Sequence, residues 1–132
     1  SMDERYSNAI KSEHTPEEKF TLLFQNQFNF FNKNPHFVVA VFSDGLMEES
    51  QKINETISKI MSVKMKHLLP IITEGQQKSI FTNSIASEEL MHIVMGTFRL
   101  QMYKWRVANF QFDIIRNGNN LIQSLLTIIK SN

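Results

Sequence analysis

The chain contains no cysteine. Disulfide frameworks, thiolate metal sites and cysteine nucleophiles are therefore excluded. Chain breakers are scarce: four glycines, at positions 45, 75, 96 and 118, and three prolines. Glycines so far apart build neither a phosphate-cradling loop nor a strained serine elbow. No charge of one sign dominates, since 14 Lys and Arg meet 13 Asp and Glu for a net charge of +1. A general electrostatic pull toward nucleic acid or an anionic membrane is absent. No apolar run approaches the ~20 residues of a membrane span. Ser1 to Ile10 lacks the basic flank and apolar stretch of a signal peptide. The expectation is a cytoplasmic protein.

What is present is apolar and soft. The 132 residues are 42% hydrophobic and 20% charged, with 11 Phe and seven Met. That balance is globular, and the length suits one domain. Thr15-Pro16-Glu17-Glu18 has the form of an N-cap, a first-turn proline and a capping box. The helix it opens extends to about Lys33, with Phe20, Leu23, Phe24, Phe28, Phe30 and Phe31 within an arc of roughly 160°. Asn34-Pro35 ends it. A short helix, His36 to Ser43, follows, although its continuous apolar run has the composition of a strand. Asp44-Gly45 is a turn, and a long helix runs from about Met47 to Lys78, kinked at Pro70. Ser79 to Ala86 reads as a loop. The next helix, from Ser87 to about Asn109, is apolar on two sides. Leu90, Val94, Phe98, Met102 and Trp105 form one stripe; Gly96, Leu100, Tyr103 and Val107 form another. A helix apolar on two sides must be covered on both, and in so small a domain the second cover is a partner chain. The last helix, near Asp113 to Lys130, has a broad face of Ile114, Ile115, Leu121, Ile122, Leu125, Leu126, Ile128 and Ile129. Gly118 inside it costs about 1 kcal/mol relative to Ala.

Catalytic chemistry is hard to assemble from these residues. None of His14, His36, His67 and His92 pairs with another at a spacing of three or four. Glu89-x-x-His92 is half of a di-iron bundle motif and has no second half. The expectation is no enzyme, no metal and no cofactor. Arg99, Lys104, Arg106 and Arg116 read as a solvated face. The aromatic and Met stripes are plain core or the walls of an apolar pocket. The pocket reading takes Phe24, Phe28, Phe31, Phe42, Met61, Met65, Met95, Phe98 and Met102 as walls, with Lys64, His67 and Trp105 as polar contacts. Methionine suits adaptable linings because it repacks easily.

Four segments in order resemble the C-terminal, ligand-binding and dimerisation domain of TetR-type transcriptional regulators. Thr15-Pro16-Glu17-Glu18-Lys19-Phe20 is similar to the opening of the family's fifth helix. Phe30-Phe31-Asn32-Lys33-Asn34-Pro35-His36 is similar to its "FF-x-x-NP" junction. Ile72-Thr73-Glu74-Gly75-Gln76-Gln77-Lys78 is similar to the "EGQ-x-x-G" end of its long helix, with Ser79 where Gly is usual. Ser87-Glu88-Glu89-Leu90 with Gly96, and then Phe112-Asp113, resemble the openings of its last two helices.

The resemblance implies an all-α fold of about five to six helices. The last two would pair with their copies in a dimeric four-helix bundle, through Gly96, Leu100, Tyr103, Val107, Leu121, Ile122, Leu125, Ile128 and Ile129. The earlier helices would enclose a small-molecule cavity. Residues 1–14 would be the end of a connecting helix, with Ser1 ahead of Met2 a tag remnant, and residues 15–132 the ligand-binding and dimerisation domain. On this resemblance the family's N-terminal helix-turn-helix domain would be absent from this chain. The implied function is sensing of a small apolar or aromatic effector by a homodimeric repressor, which touches DNA only through the absent domain and touches no membrane. The alternative is a stand-alone helical protein–protein interaction module with no small-molecule ligand.

Overall fold

The computed structural model describes residues 14–42 and 66–131, with the side chains of 40–42 outside the description. Four bounded helices appear in order: α1 (Pro16–Lys33), α2 (Pro35–Phe42), α4 (Ser87–Val107) and α5 (Ile114–Ile129), with a helical stretch at residues 66–77, α3, between α2 and α4. The described residues are all-helical apart from one isolated bridge, Phe81 to Lys130. The expected turn at Asp44-Gly45 and the start of the long helix lie outside the described residues. The segment 66–77 is its helical end.

The ends of these helices follow from local chemistry. Thr15 caps α1: its hydroxyl accepts from the Glu18 N–H at 3.1 Å, and the Glu18 carboxylate accepts from the Thr15 N–H at 2.8 Å. These bonds, the backbone one foremost, hold the Glu18 carboxyl below its ordinary range. Asn34 closes α1, its side-chain amide donating to the Phe30 carbonyl at 2.9 Å, and Pro35 opens α2. Asp113 caps α5, accepting from the N–H groups of Ile115 and Arg116 at 3.0 and 3.1 Å. α4 begins at Ser87, but its N-cap is Ala86, without a side-chain bond. It also ends at Val107, short of Asn109. Asn109 and Phe110 have φ of 54° and 61°, which a right-handed helix does not admit.

α1 packs most extensively on α5, and α2 lies against α4 and α1. The α1–α5 approach is close because Gly118 sits under the Phe28 ring. A Cβ at Gly118 would lie 2.6 Å from Phe28 Cδ2. The glycine that sequence alone marks as a cost is thus required by packing.

The "EGQ" segment has a structural task at each residue. Lys19 Nζ donates to Glu74 Oε1 at 2.7 Å and Lys78 Nζ to Glu74 Oε2 at 3.0 Å. Together, Lys19 foremost, they hold the Glu74 carboxyl below its ordinary value. Gly75 leaves room for the Phe81 ring, and its carbonyl accepts from the N–H groups of Ile80 and Phe81. The Gln76 amide donates to the carbonyls of Thr82 and Ile85 at 3.0 and 2.8 Å. Ser79, in the usual glycine position, has φ of 57°, the left-handed region glycine adopts freely. The loop is then fixed to the end of α5 by Thr82 N–H to Ile129 O and Ser131 N–H to Ile80 O, both 2.8 Å.

Candidate functional site

The aromatic part of the core is built from α1 and α4. The capped α1 carries Phe20, Leu23, Phe24, Phe28 and Phe31 on one buried face, and α4 buries Leu90, Met91, Val94, Phe98, Met102 and Trp105. Phe98 is the hub. Its ring centroid lies 5.3 Å from Phe24, 5.1 Å from Phe28 and 6.4 Å from Phe31, all tilted. Val38 of α2 and Leu68, Ile71 and Ile72 of α3 belong to the same buried cluster.

Of the expected pocket walls, the structure brings Phe24, Phe28, Phe31, Phe98 and Met102 together, buried, with Met95 half-buried against them. Phe42 as a side chain, and Met61, Lys64 and Met65 altogether, lie outside the described residues. His67 is half-buried on α3. Trp105 is buried, and its indole N–H donates to the Phe112 carbonyl at 3.1 Å. Its donor thus ties the end of α4 to the segment leading into α5. A separate groove of about 410 Å³ lies on the surface between the start of α1 and the end of α5. It is lined by His14, Glu17, Glu18, Thr21, Leu22, Gln123 and Leu126, and contains none of the expected walls.

One residue of the wall escaped the sequence reading. Gln27 is fully buried, the only buried polar side chain among the described residues. Neither its Oε1 nor its Nε2 has a hydrogen-bond partner among the described residues. The signal was present in its position: one turn after Leu23 and one before Phe31, Gln27 falls in the middle of the apolar arc.

The far side of α4 is exposed. Ile93, Leu100, Tyr103 and Val107 are between 46% (Tyr103) and 61% (Val107) exposed. Gly96 lies in the same stripe, and a Cβ there would meet nothing within 4 Å. On α5, Ile128 is exposed and Leu121 half-buried. The structure places the other residues expected at a dimer contact, Ile122, Leu125 and Ile129, inside the protomer's own core. The reason is angular: the buried face of α5 centres near Gly118 and Ile129, and Leu121 and Ile128 fall on its flank.

No group of three or more His, Asp or Glu that could hold a metal gathers among the described residues. Among them, too, no helix is long and apolar enough to cross a membrane.

The order of helices and the buried aromatic wall can now be set beside known proteins. The family described as "YsiA-like protein, C-terminal region", a TetR C-terminal family, matches residues 1–128. The chain belongs to that family. This TetR-type C-terminal domain is 21% identical over 124 residues to the fatty acid metabolism regulator protein of Bacillus subtilis (strain 168), covering 94% of the chain. It spans 63% of that relative's length. Its fold is similar to the crystal structure of the transcriptional regulator FadR from Bacillus subtilis in complex with stearoyl-CoA. The TM-score is 0.79 at 20% identity, covering 96% of this chain and 68% of that one. It is also similar to the MbdR regulator from Azoarcus sp. CIB, with a TM-score of 0.66 at 19% identity, covering 96% of this chain and 64% of that one. At these identities the likeness establishes the fold of a TetR-type C-terminal domain.

Proposed function

We propose that this domain senses an apolar small molecule, specifically a long-chain acyl thioester, and dimerises to pass that signal to DNA-binding heads elsewhere in the regulator. The observation that carries the reading is the division of α4. One side packs Phe98 against Phe24, Phe28 and Phe31 of α1; the other exposes Ile93, Leu100, Tyr103 and Val107. The two sides are roughly 200° apart around the helix. An exposed apolar stripe of this length marks a protein interface. Gly96 adds to the argument. A mid-helix glycine is unfavourable by about 1 kcal/mol, and nothing within the protomer requires it. Close approach of a second helix would supply the reason.

The effector class is suggested by the FadR structure in complex with stearoyl-CoA, which shares this fold, and by the Phe- and Met-rich interior. The mechanism is population shift: a ligand that fits one arrangement of the helices better biases the dimer toward it, by no more than its differential affinity. In this reading the protein is a cytoplasmic repressor with no catalytic residue, and residues 1–14 belong to the connection toward the DNA-binding domain.

Native mass spectrometry of the purified chain, with and without stearoyl-CoA, tests both halves. The expected result is a dimer that takes up the ligand, with a matching rise in melting temperature. At a hundredfold excess over Kd, binding adds about 2.7 kcal/mol. A monomer that takes up no stearoyl-CoA and shows no thermal shift would sink the reading and favour a helical interaction module.

A further inference from the structure

We propose that the Gln27 side-chain amide is the polar anchor of the effector site and pairs with the secondary amides of the ligand. The proposal rests on the acyl-thioester reading above and adds the residue and the ligand group that meet.

Gln27 is fully buried on α1. Both ends of its amide lack partners among the described residues, so exchanging the assigned oxygen and nitrogen leaves the conclusion unchanged. Burying an amide with neither end paired is strongly unfavourable, and native interiors almost never leave one so. A methionine would fill the same volume without that penalty. The group is not idle surface chemistry: helix geometry sets it on the same face as Phe24 and Phe31, whose rings surround Phe98.

What is missing is a partner that both donates and accepts. A carboxamide offers two N–H donors and a carbonyl acceptor in one plane. A trans secondary amide points its N–H and C=O in opposite directions, so one such group meets one end of the carboxamide and two along a chain can meet both. A fatty acid has no such group, whereas an acyl-CoA carries two secondary amides in the arm beyond its thioester. Gln27 would thus register where the acyl chain ends and distinguish a thioester-linked arm from a free acid.

The test is calorimetric titration of the full chain and of Gln27→Met with stearoyl-CoA and with stearate. Gln27→Met is expected to weaken stearoyl-CoA by about tenfold while stearate is unchanged. Equal weakening of both would make Gln27 a shaper of the cavity and overturn the pairing. Unchanged stearoyl-CoA affinity would overturn the anchor and leave the acyl-thioester reading standing. Failure of the wild-type chain to bind stearoyl-CoA would overturn both. If Gln27→Met does not fold, the side-chain NH₂ resonances of Gln27 in wild-type protein decide. They should shift on adding stearoyl-CoA and stay in place on adding stearate; resonances unmoved by stearoyl-CoA would overturn the proposal.

Discussion

Replacing Gly118 with alanine tests the closest contact in the fold. Alanine is the better helix former by about 1 kcal/mol, so propensity alone predicts stabilisation. The tertiary geometry predicts the reverse. A Cβ at Gly118 would lie 2.6 Å from Phe28 Cδ2 and 2.8 Å from both Cγ and Cε2. Ordinary carbon contacts are about 3.5–4.0 Å, so the ring or the helix must move by about 1 Å. The ring has little freedom, because Phe98 packs against Phe28 at 5.1 Å. Overpacking of this kind costs about 1–3 kcal/mol, rising when backbones must part. The net expectation for Gly118→Ala is a loss of up to about 2 kcal/mol, or up to several degrees in Tm. Urea melts at fixed protein concentration measure it without mass-action effects from assembly. The cause is isolated by adding Phe28→Leu, which removes the ring. On that background Gly118→Ala should be neutral or stabilising, a coupling of about 1–3 kcal/mol. Gly118→Ala that stabilises the wild-type chain would refute the close approach of α1 and α5.

Three other outcomes follow from the structure. Ser79→Gly should raise stability by about 0.5–1 kcal/mol in the same melts, because φ of 57° is unfavourable for any side chain; a loss would refute the left-handed assignment. Glu74→Gln should flatten the acid limb of the stability profile. The Glu74 carboxyl is held below its ordinary value of 4.5 by Lys19 and then Lys78. Its contribution is therefore present above about pH 4.5 and lost as pH falls through the lower folded value. With its side chain 24% exposed, the amount is about 0.5–1 kcal/mol, and an unaltered acid limb in Glu74→Gln would refute it. Leu100→Glu, on the exposed side of α4, should yield monomers in sedimentation; an unchanged dimer would sink that interface.

The parts of the fold legible in the sequence were those fixed by neighbours along the chain. The capping box at Thr15 and Glu18, the Asn34-Pro35 break and the start at Asp113 each depend on residues within four positions. The overrun of α4 to Asn109 came from reading apolar spacing past a backbone reversal that only φ reveals at Asn109 and Phe110. Gly118 appeared as a penalty because its reason, the Phe28 ring, lies some 90 positions away. The same limit explains α5. Its apolar residues cover an arc too broad to divide by pattern, and only the packed fold separates buried Ile122, Leu125 and Ile129 from exposed Ile128.

Gln27 and Gly96 share one logic. Each is a residue whose presence its own protomer does not explain. Gln27 buries an amide with neither end paired among the described residues, and Gly96 keeps open a helix surface that any side chain could occupy. In a folded chain such departures carry a cost that favourable contacts elsewhere must exceed. The structure puts them on different surfaces: Gln27 on the α1 face whose Phe24 and Phe31 meet Phe98, Gly96 on the exposed side of α4. A ligand pairing with Gln27 would settle the packing of α1 on α4, and α4 is the same helix that would meet the second subunit.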